Sequence, residues 1–248
     1  MKFDLAGKKA VVTGGSSGIG KAIVETLMKQ GATVFVIDLN ENPANTKAGI
    51  KTLTVDITKF DQLNTALTLL PEQIDILVNN AGVGFVGNIE QTEEEDFDRL
   101  YQVNVKGVFN CIKVILPRMK KQGGVIVNMA SITAHIAVQN RLAYTTTKGA
   151  VLAMTNAIAK DYIANGIRCN SVSPARVHTP FVDNFLKKNY PGEEKEMFEN
   201  LSQTQPIGRM GKPQEIGDLV LYLCSEEASF ITGTDFPIDG GFIKLNGN

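Results

Sequence analysis

Short runs of apolar and β-branched residues alternate along the chain with longer stretches in which apolar positions recur every three or four residues. The short runs are Lys9–Thr13, Thr33–Asp38, Lys51–Val55, Ile74–Asn79, Val125–Ala130, Ile167–Ser173 and Thr234–Ile238. Most are apolar throughout, the pattern of strands covered on both faces. Helical spacing occupies Ile19–Gln30, Lys59–Leu70, Glu93–Lys121, Tyr144–Ile163 and Pro213–Ser225. Thr58-x-x-Asp61 and Thr92-x-x-Glu95 are spaced like capping boxes, and Gly31 and Gly166 stand where a helix end takes a left-handed residue. Pro213 suits a first helical turn, where its missing N–H has no helical partner to lose. Strand–helix–strand repetition implies right-handed crossovers, and predicts an α/β fold with one doubly wound parallel sheet and helices on both faces. No Pro/Ser-rich linker divides residues 1–248, which read as a single Rossmann-type domain. Only residues 181–205 break the rhythm, with helical spacing around Phe185, Met197 and Leu201. A helical lid over a ligand crevice and a plain surface hairpin both fit that stretch.

Composition narrows the function classes. With 248 residues, 43% hydrophobic and 21% charged, the chain can bury a core without disulfide or metal support. A net charge of −1 lacks the basic excess of a nucleic-acid binder, and no apolar run approaches the roughly 20 residues of a membrane span. The first residues lack a signal-peptide pattern. Cys111, Cys169 and Cys224 form no C-x-x-C pair and read as small buried hydrophobes of a cytoplasmic protein. His135 and His178 are the only histidines, too few for a His-rich zinc site, so no metal is expected.

Chemistry enters at Thr13-Gly14-Gly15-Ser16-Ser17-Gly18-Ile19-Gly20, between the first strand and the first helix. Glycines there let backbone N–H groups approach a pyrophosphate at a helix N-terminus, although the spacing is G-x-x-x-G-x-G and not the commoner G-x-G-x-x-G. Asp38 ends the second strand about 20 residues on, where an acid hydrogen-bonds adenosine ribose hydroxyls. It would repel the 2′-phosphate of NADP, positions 37–46 offer no Arg and no Lys before Lys47, and Ser17 stands where a basic side chain could have helped. NAD is therefore the expected cofactor; a strand-end turn former is the plainer alternative for Asp38. Tyr144-x-x-x-Lys148 puts a phenol and an ammonium on one helix face. Ser131 closes a buried-type strand, Asn79-Asn80-Ala81-Gly82 ends another, and Asn104 sits in a long helix.

Taken in order, the T-G-x-x-x-G-I-G loop, N-N-A-G, the helix Asn, the Ser, Y-x-x-x-K and a late Pro-containing turn resemble the short-chain dehydrogenase/reductase family over essentially the whole chain. The resemblance implies that Tyr144 donates or accepts the proton, and that Lys148 lowers its pKa and holds the nicotinamide ribose. It implies that Ser131 hydrogen-bonds the substrate oxygen and that Asn104 supports a water-linked relay. Asp56 and Ile57 would flank the adenine, Asn80 would lie along the cofactor, and Val177 and Thr179 would contact the carboxamide. A phenol near pKa 10 needs roughly 3–4 kcal/mol of help to act near neutrality, about what one ammonium ~4–5 Å away supplies at a dielectric of ~20. The resemblance also implies a homotetramer through Gly107–Lys121 and Tyr144–Ile163. Asn110, Cys111, Ile112, Ile115 and Leu116 read as surplus apolar surface in support.

The chain departs from the family at Pro174-Ala175, where Gly usually follows Pro; a positive φ at Ala175 would be strained. Arg176 and His178 follow, each a candidate substrate contact or an ordinary turn decoration. Asn140-Arg141 precedes Tyr144 in the loop expected to line the substrate pocket, and a guanidinium fork suits a carboxylate. That stretch resembles NAD-dependent hydroxy-acid and deoxy-sugar-acid members; an exposed charge is the alternative for Arg141. His135, in the same loop, reads as pocket-lining or solvent-facing. The expected activity is NAD(H)-dependent interconversion of a secondary alcohol and a ketone on a small hydroxy acid or sugar derivative. A carrier-protein-linked ketoreductase and a non-catalytic NAD-binding regulator are the alternatives.

Overall fold

A computed structural model describes residues 2–43, 45 and 49–245. Seven strands form one parallel sheet: β1 (Lys9–Thr13), β2 (Thr33–Asp38), β3 (Lys51–Thr54), β4 (Ile76–Asn79), β5 (Gly124–Met129), β6 (Ile167–Pro174) and β7 (Asp235–Ile238). Their spatial order is β3-β2-β1-β4-β5-β6-β7. The chain steps outward from β1 in one direction, then returns to β4 on its other side. That reversal opens a crevice beyond the C-terminal strand ends, the place where ligands bind in open α/β sheets.

The apolar runs are explained by two cores. Ala10, Val12, Val36, Ile76, Val78 and Val127 face one side, against Ile23 and Leu27 of α1 (Gly18–Lys29) and Ile216 and Val220 of a later helix, Pro213–Cys224. Val11, Leu77 and Ile126 face the other, against Leu63 of α2 (Phe60–Ala66), Ile115 and Val151. The five inner strands, β1, β2, β4, β5 and β6, are therefore buried on both faces, as the continuous runs require, while the edge strands β3 and β7 are partly exposed.

The expected helix over Glu93–Lys121 is broken. It comprises α3 (Glu94–Tyr101), a π turn at Gln102–Lys106, α4 (Gly107–Ile115) and a 3₁₀ turn at Leu116–Arg118. Single π turns are frequent at functional sites, and this one carries Asn104. The remaining helices are α5 (Leu142–Tyr162), α6 (Pro180–Asn189), α7 (Glu194–Gln203), α8 (Pro213–Cys224) and the short α9 (Phe242–Leu245). Gly31 and Gly166 take the expected left-handed conformation, with φ of 90° and 68°.

Other local expectations need correction. Neither threonine box forms: the Thr58 N–H donates to Asp56 Oδ1, and Thr92 donates its hydroxyl to the Asn88 carbonyl. Both helices start one residue later than their threonines would place them. Asn110, Cys111, Ile112, Ile115 and Leu116 are buried within the chain itself, so they supply no spare surface for assembly. The apolar residue that α4 exposes is Phe109. No helix among the described residues is long and apolar enough to cross a membrane.

Candidate active site

At the β1 end of the crevice the backbone is packed against itself. Gly14 has φ of 66°, and a Cβ on it would lie 2.9 Å from the Ala81 Cα. A Cβ on Gly20 would come within 2.0 Å of the Gly14 carbonyl oxygen. The spacing of this loop is thus set by close approach as well as by turn geometry. The β4 end buttresses it: the Asn80 and Ala81 N–H groups both donate to Thr13 Oγ1, and Asn80 Nδ2 donates to the carbonyls of Thr13 and Gly14. Asp38 Oδ2 accepts the Ser16 N–H at 3.0 Å and Oδ1 the Asn40 N–H at 3.2 Å. Ser17 is the N-cap of α1 but no side chain caps the helix, which leaves its positive end for an anion.

A cleft of about 780 Å³ runs from this loop past the ends of β4, β5 and β6. Gly14, Ser17, Gly18, Ile19, Gly20, Asp38, Asp56, Ile57, Asn80, Val177 and Thr179 line it, so the sequence-derived dinucleotide residues meet in one place. Ser16 does not line it; it braces Asp38 through its N–H and donates its hydroxyl to the Asn40 carbonyl. The cradle that a Cβ would fill, the uncapped helix end and the carboxylate at the β2 tip fit a dinucleotide.

Farther along, Ser131 leaves β5 and caps the 3₁₀ turn Ile132–Ala134, its hydroxyl accepting the Thr133 N–H. Tyr144 and Lys148 lie one turn apart on α5, and Lys148 Nζ stands 5.7 Å from the centre of the Tyr144 ring. Burial raises the Tyr144 phenol above its usual range; a hydrogen bond with Ser131 and then the charge of Arg141 draw it back. Burial lowers Lys148 to about 8. Its ammonium donates to the Met129 carbonyl at 2.7 Å. Asn104 lies behind the cleft wall: it accepts the Val83 N–H and donates to the Val83 carbonyl and to Thr147 Oγ1 on α5. It ties the π turn to the helix that carries Tyr144 and Lys148.

The substrate candidates separate. Arg141 and Arg176 line the cleft, whereas His178 does not: its Nε2 is 2.8 Å from Asp183 Oδ1, and its ring meets Phe198 edge-on. His135 is absent from the cleft lining, so the pocket-lining reading fails; it is exposed, as the solvent-facing reading has it, and its Nε2 is 2.7 Å from Asp235 Oδ2 on β7. Ala175 is not in the left-handed region, and the strain feared there does not arise. Asn140 is, at φ of 58°, and the turn it makes delivers Arg141 to the Phe85 carbonyl. Helices α6 and α7 form the hairpin anticipated over residues 181–205, and Phe181, Phe185 and Leu201 from it reach the cleft. Phe85, Val138, Met210 and Phe242 complete apolar walls that sequence reasoning missed. They come from four unrelated segments, so no local period in the sequence signals them.

A family model described as enoyl-(acyl carrier protein) reductase, of the short-chain type, matches residues 14–243. The chain belongs to the short-chain dehydrogenase/reductase family. It is 38% identical to dehydrogenase/reductase SDR family member 6 of Danio rerio, over 96% of this chain and 98% of that one. It is 35% identical to 2-keto-3-deoxy-L-fuconate dehydrogenase of Xanthomonas campestris, over 96% of this chain and 81% of that one. Among solved structures, L-sorbose reductase from Gluconobacter frateurii, in complex with NADPH and L-sorbose, superposes with a TM-score of 0.90 at 28% identity, covering 99% of this chain and 100% of that one. As a member of this family the chain is an oxidoreductase of alcohol and keto groups that uses a nicotinamide cofactor.

Proposed function

We propose that this short-chain dehydrogenase/reductase interconverts a secondary alcohol and a ketone with NAD(H), on a small hydroxy acid or sugar-acid derivative. The observation that carries the reading is that Ser131, Tyr144 and Lys148 line the same cleft as the Gly14–Gly20 cradle, with Lys148 one turn behind the phenol and its Nζ 5.7 Å from the ring centre. When bound, the nicotinamide supplies or removes the hydride. The chain's own residues manage the oxygen and its proton. In reduction Tyr144 gives its phenolic proton to the substrate oxygen, and in oxidation it takes that proton back. Ser131 hydrogen-bonds the same oxygen and orients it. Lys148, protonated below about pH 8, puts a positive charge beside the phenolate that forms. Asn104 keeps α5 in register with the π turn. Val177 and Thr179 would hold the carboxamide, and Asp56 and Ile57 would flank the adenine.

Asp38 supports NAD(H) over NADP(H). Its oxygens are fixed by the Ser16 and Asn40 N–H groups at the mouth of the cleft. A like charge about 5 Å away at a dielectric of ~20 costs about 3 kcal/mol, enough for a preference of about 100-fold. The NADPH of the sorbose reductase complex belongs to that protein. Arg141 in the cleft lining, a guanidinium suited to a carboxylate, and the fuconate relative support an acid substrate. The same reading includes a cytoplasmic homotetramer with α4 and α5 at the contact, supported by exposed Phe109 beside that surface; a monomer in sedimentation would remove the assembly.

The test is formation of reduced nicotinamide with a panel of hydroxy acids, sugars and alcohols, using NAD and NADP in parallel. Turnover with NAD, preferred at least tenfold and lost about 1,000-fold in Tyr144→Phe, is the expected outcome. Turnover that survives that substitution would remove the acid–base assignment.

A further inference from the structure

We propose that Arg141 and Arg176 form a two-guanidinium seat for a single substrate carboxylate. This rests on the reading above and adds to it a second residue, Arg176, and a shared mode of binding. The chain has six arginines, and the other four are occupied. Arg99 pairs with Asp96, and Arg209 is bidentate to Glu215. Arg118 donates to the carbonyls of Leu67, Leu70 and Pro71, and Arg168 to those of Leu223, Ser225 and Ile231. Those two guanidiniums staple loops and helix ends.

Arg141 and Arg176 differ from all four. A guanidinium carries five N–H donors. Arg141 donates one hydrogen bond, to the Phe85 carbonyl, and Arg176 donates one from its guanidinium, to Thr204 Oγ1. Neither has a carboxylate partner among the described residues, yet both are partly buried and both line the cleft. They enter from opposite segments, Arg141 from the N-cap of α5 and Arg176 from the stretch after β6. Burial and then the charge of Arg141 lower Arg176, so the two fields overlap in the free protein. Two unneutralised cations with most of their donors unused, facing one cavity, are relieved by one anion placed between them. Arg141 stands at the N-cap of α5, three residues before Tyr144, and both line the cleft, which puts the seat on the Tyr144 side of it. The ligand this selects is an oxo or hydroxy acid whose carboxylate lies close to the reactive carbon.

The experiment uses the full chain saturated with NADH. Binding is measured for lactate, gluconate and L-fuconate, each against the counterpart in which a primary alcohol replaces the carboxylate (propane-1,2-diol, sorbitol and L-fucitol). A phosphate ester, glucose 6-phosphate, is the comparison anion. The expected result is at least one acid bound tenfold or more tightly than its alcohol, with Arg141→Gln and Arg176→Gln each removing most of that preference. Because one carboxylate is shared, the double variant should lose little more than either single variant. NADH affinity, read from its fluorescence, checks that each variant is folded. No acid preference in the native chain, an unchanged preference in Arg176→Gln, additive losses, or tighter binding of the phosphate ester would each overturn the seat. If Tyr144-dependent turnover of neutral alcohols persists alongside such a result, the seat fails while the oxidoreductase reading stands.

Discussion

Around the Thr13–Gly20 loop almost every polar contact involves main chain: Asn80 donates to two carbonyls, Asp38 accepts two N–H groups, and two N–H groups converge on Thr13 Oγ1. Around Tyr144 the cleft is faced by side chains, and four of them are driven from their ordinary ionisation by burial. The phenol of Tyr144 is raised, and Lys148, Arg141 and Arg176 are lowered. One end of the cleft is braced by its own backbone before any ligand arrives, with only the uncapped end of α1 left open; the other holds charge at a cost. Perturbed titratable groups clustered in a cleft mark the part of a site that does chemistry. A satisfied backbone cradle marks the part that only binds.

The largest expected effects should divide along that line. Gly20→Ala would force a Cβ to within 2.0 Å of the Gly14 carbonyl, so the loop must move. NADH affinity should fall by about 100-fold or more, on the order of 3 kcal/mol. Tyr144→Phe should instead leave the NADH dissociation constant within about twofold while turnover falls by about 1,000-fold. Measuring both constants for both variants breaks the comparison if Tyr144→Phe weakens NADH binding as much as Gly20→Ala does.

The two ends also differ in how readable they are from sequence. The dinucleotide end was legible because its contacts lie within a few residues or at strand tips, and because steric demands on backbone restrict residue type. Glycine at positions 14 and 20 is visible in the chain for the same reason it is needed in space. The substrate end was partly hidden. Arg141 could be singled out because it precedes Tyr144, but that Arg176 shares the cavity depends on how β6 and α5 are set across the sheet. The apolar wall draws on Phe85, Met210 and Phe242, which no local period connects. The break in the long helix was invisible because α3 and α4 keep a helical apolar period on either side; the π turn becomes evident only once Asn104 is seen bound to Val83 and Thr147. His178 shows the converse error: standing between Val177 and Thr179, which line the cleft, did not bring it there.

A medium effect tests whether the substrate end destabilises the free protein. Lys148 falls from 10.5 to about 8 because burial disfavours its charge, so between those values the unfolded chain holds a proton that the folded chain has released. Stability contributed by this residue therefore rises with pH from about 8 to 10.5, by about 3 kcal/mol, and is lost as pH falls through 8. Buried Cys111, Cys169 and Cys224, raised from 9.0 to about 12, act in the opposite sense above pH 9 and mask the trend in the native chain. Lys148→Met isolates it. The hydrogen bond to the Met129 carbonyl is lost in that variant at every pH, so the change in the stability difference is diagnostic. Denaturant unfolding of the cofactor-free proteins should show the variant gaining on the native chain toward low pH. A difference that stays flat from pH 7 to 10.5 would mean the ammonium is not penalised by burial.

The smallest effect concerns how the Ser131 turn is held at the charged end. Ser131 opens the 3₁₀ turn Ile132–Ala134 and His135 closes it, the His135 N–H donating to the Ile132 carbonyl. The imidazole then reaches Asp235, which also accepts hydroxyl protons from Ser171 and Ser173 on β6. His135→Ala removes one donor but leaves the carboxylate with its two serines, so the cost should stay near 1 kcal/mol. If that pin positions Ser131, turnover should fall severalfold while NADH affinity holds, and His135→Gln, which keeps a donor, should restore part of the loss. If stability falls by that amount and turnover does not change, the turn is held by its own backbone, and the polar pin belongs to the β6–β7 edge alone.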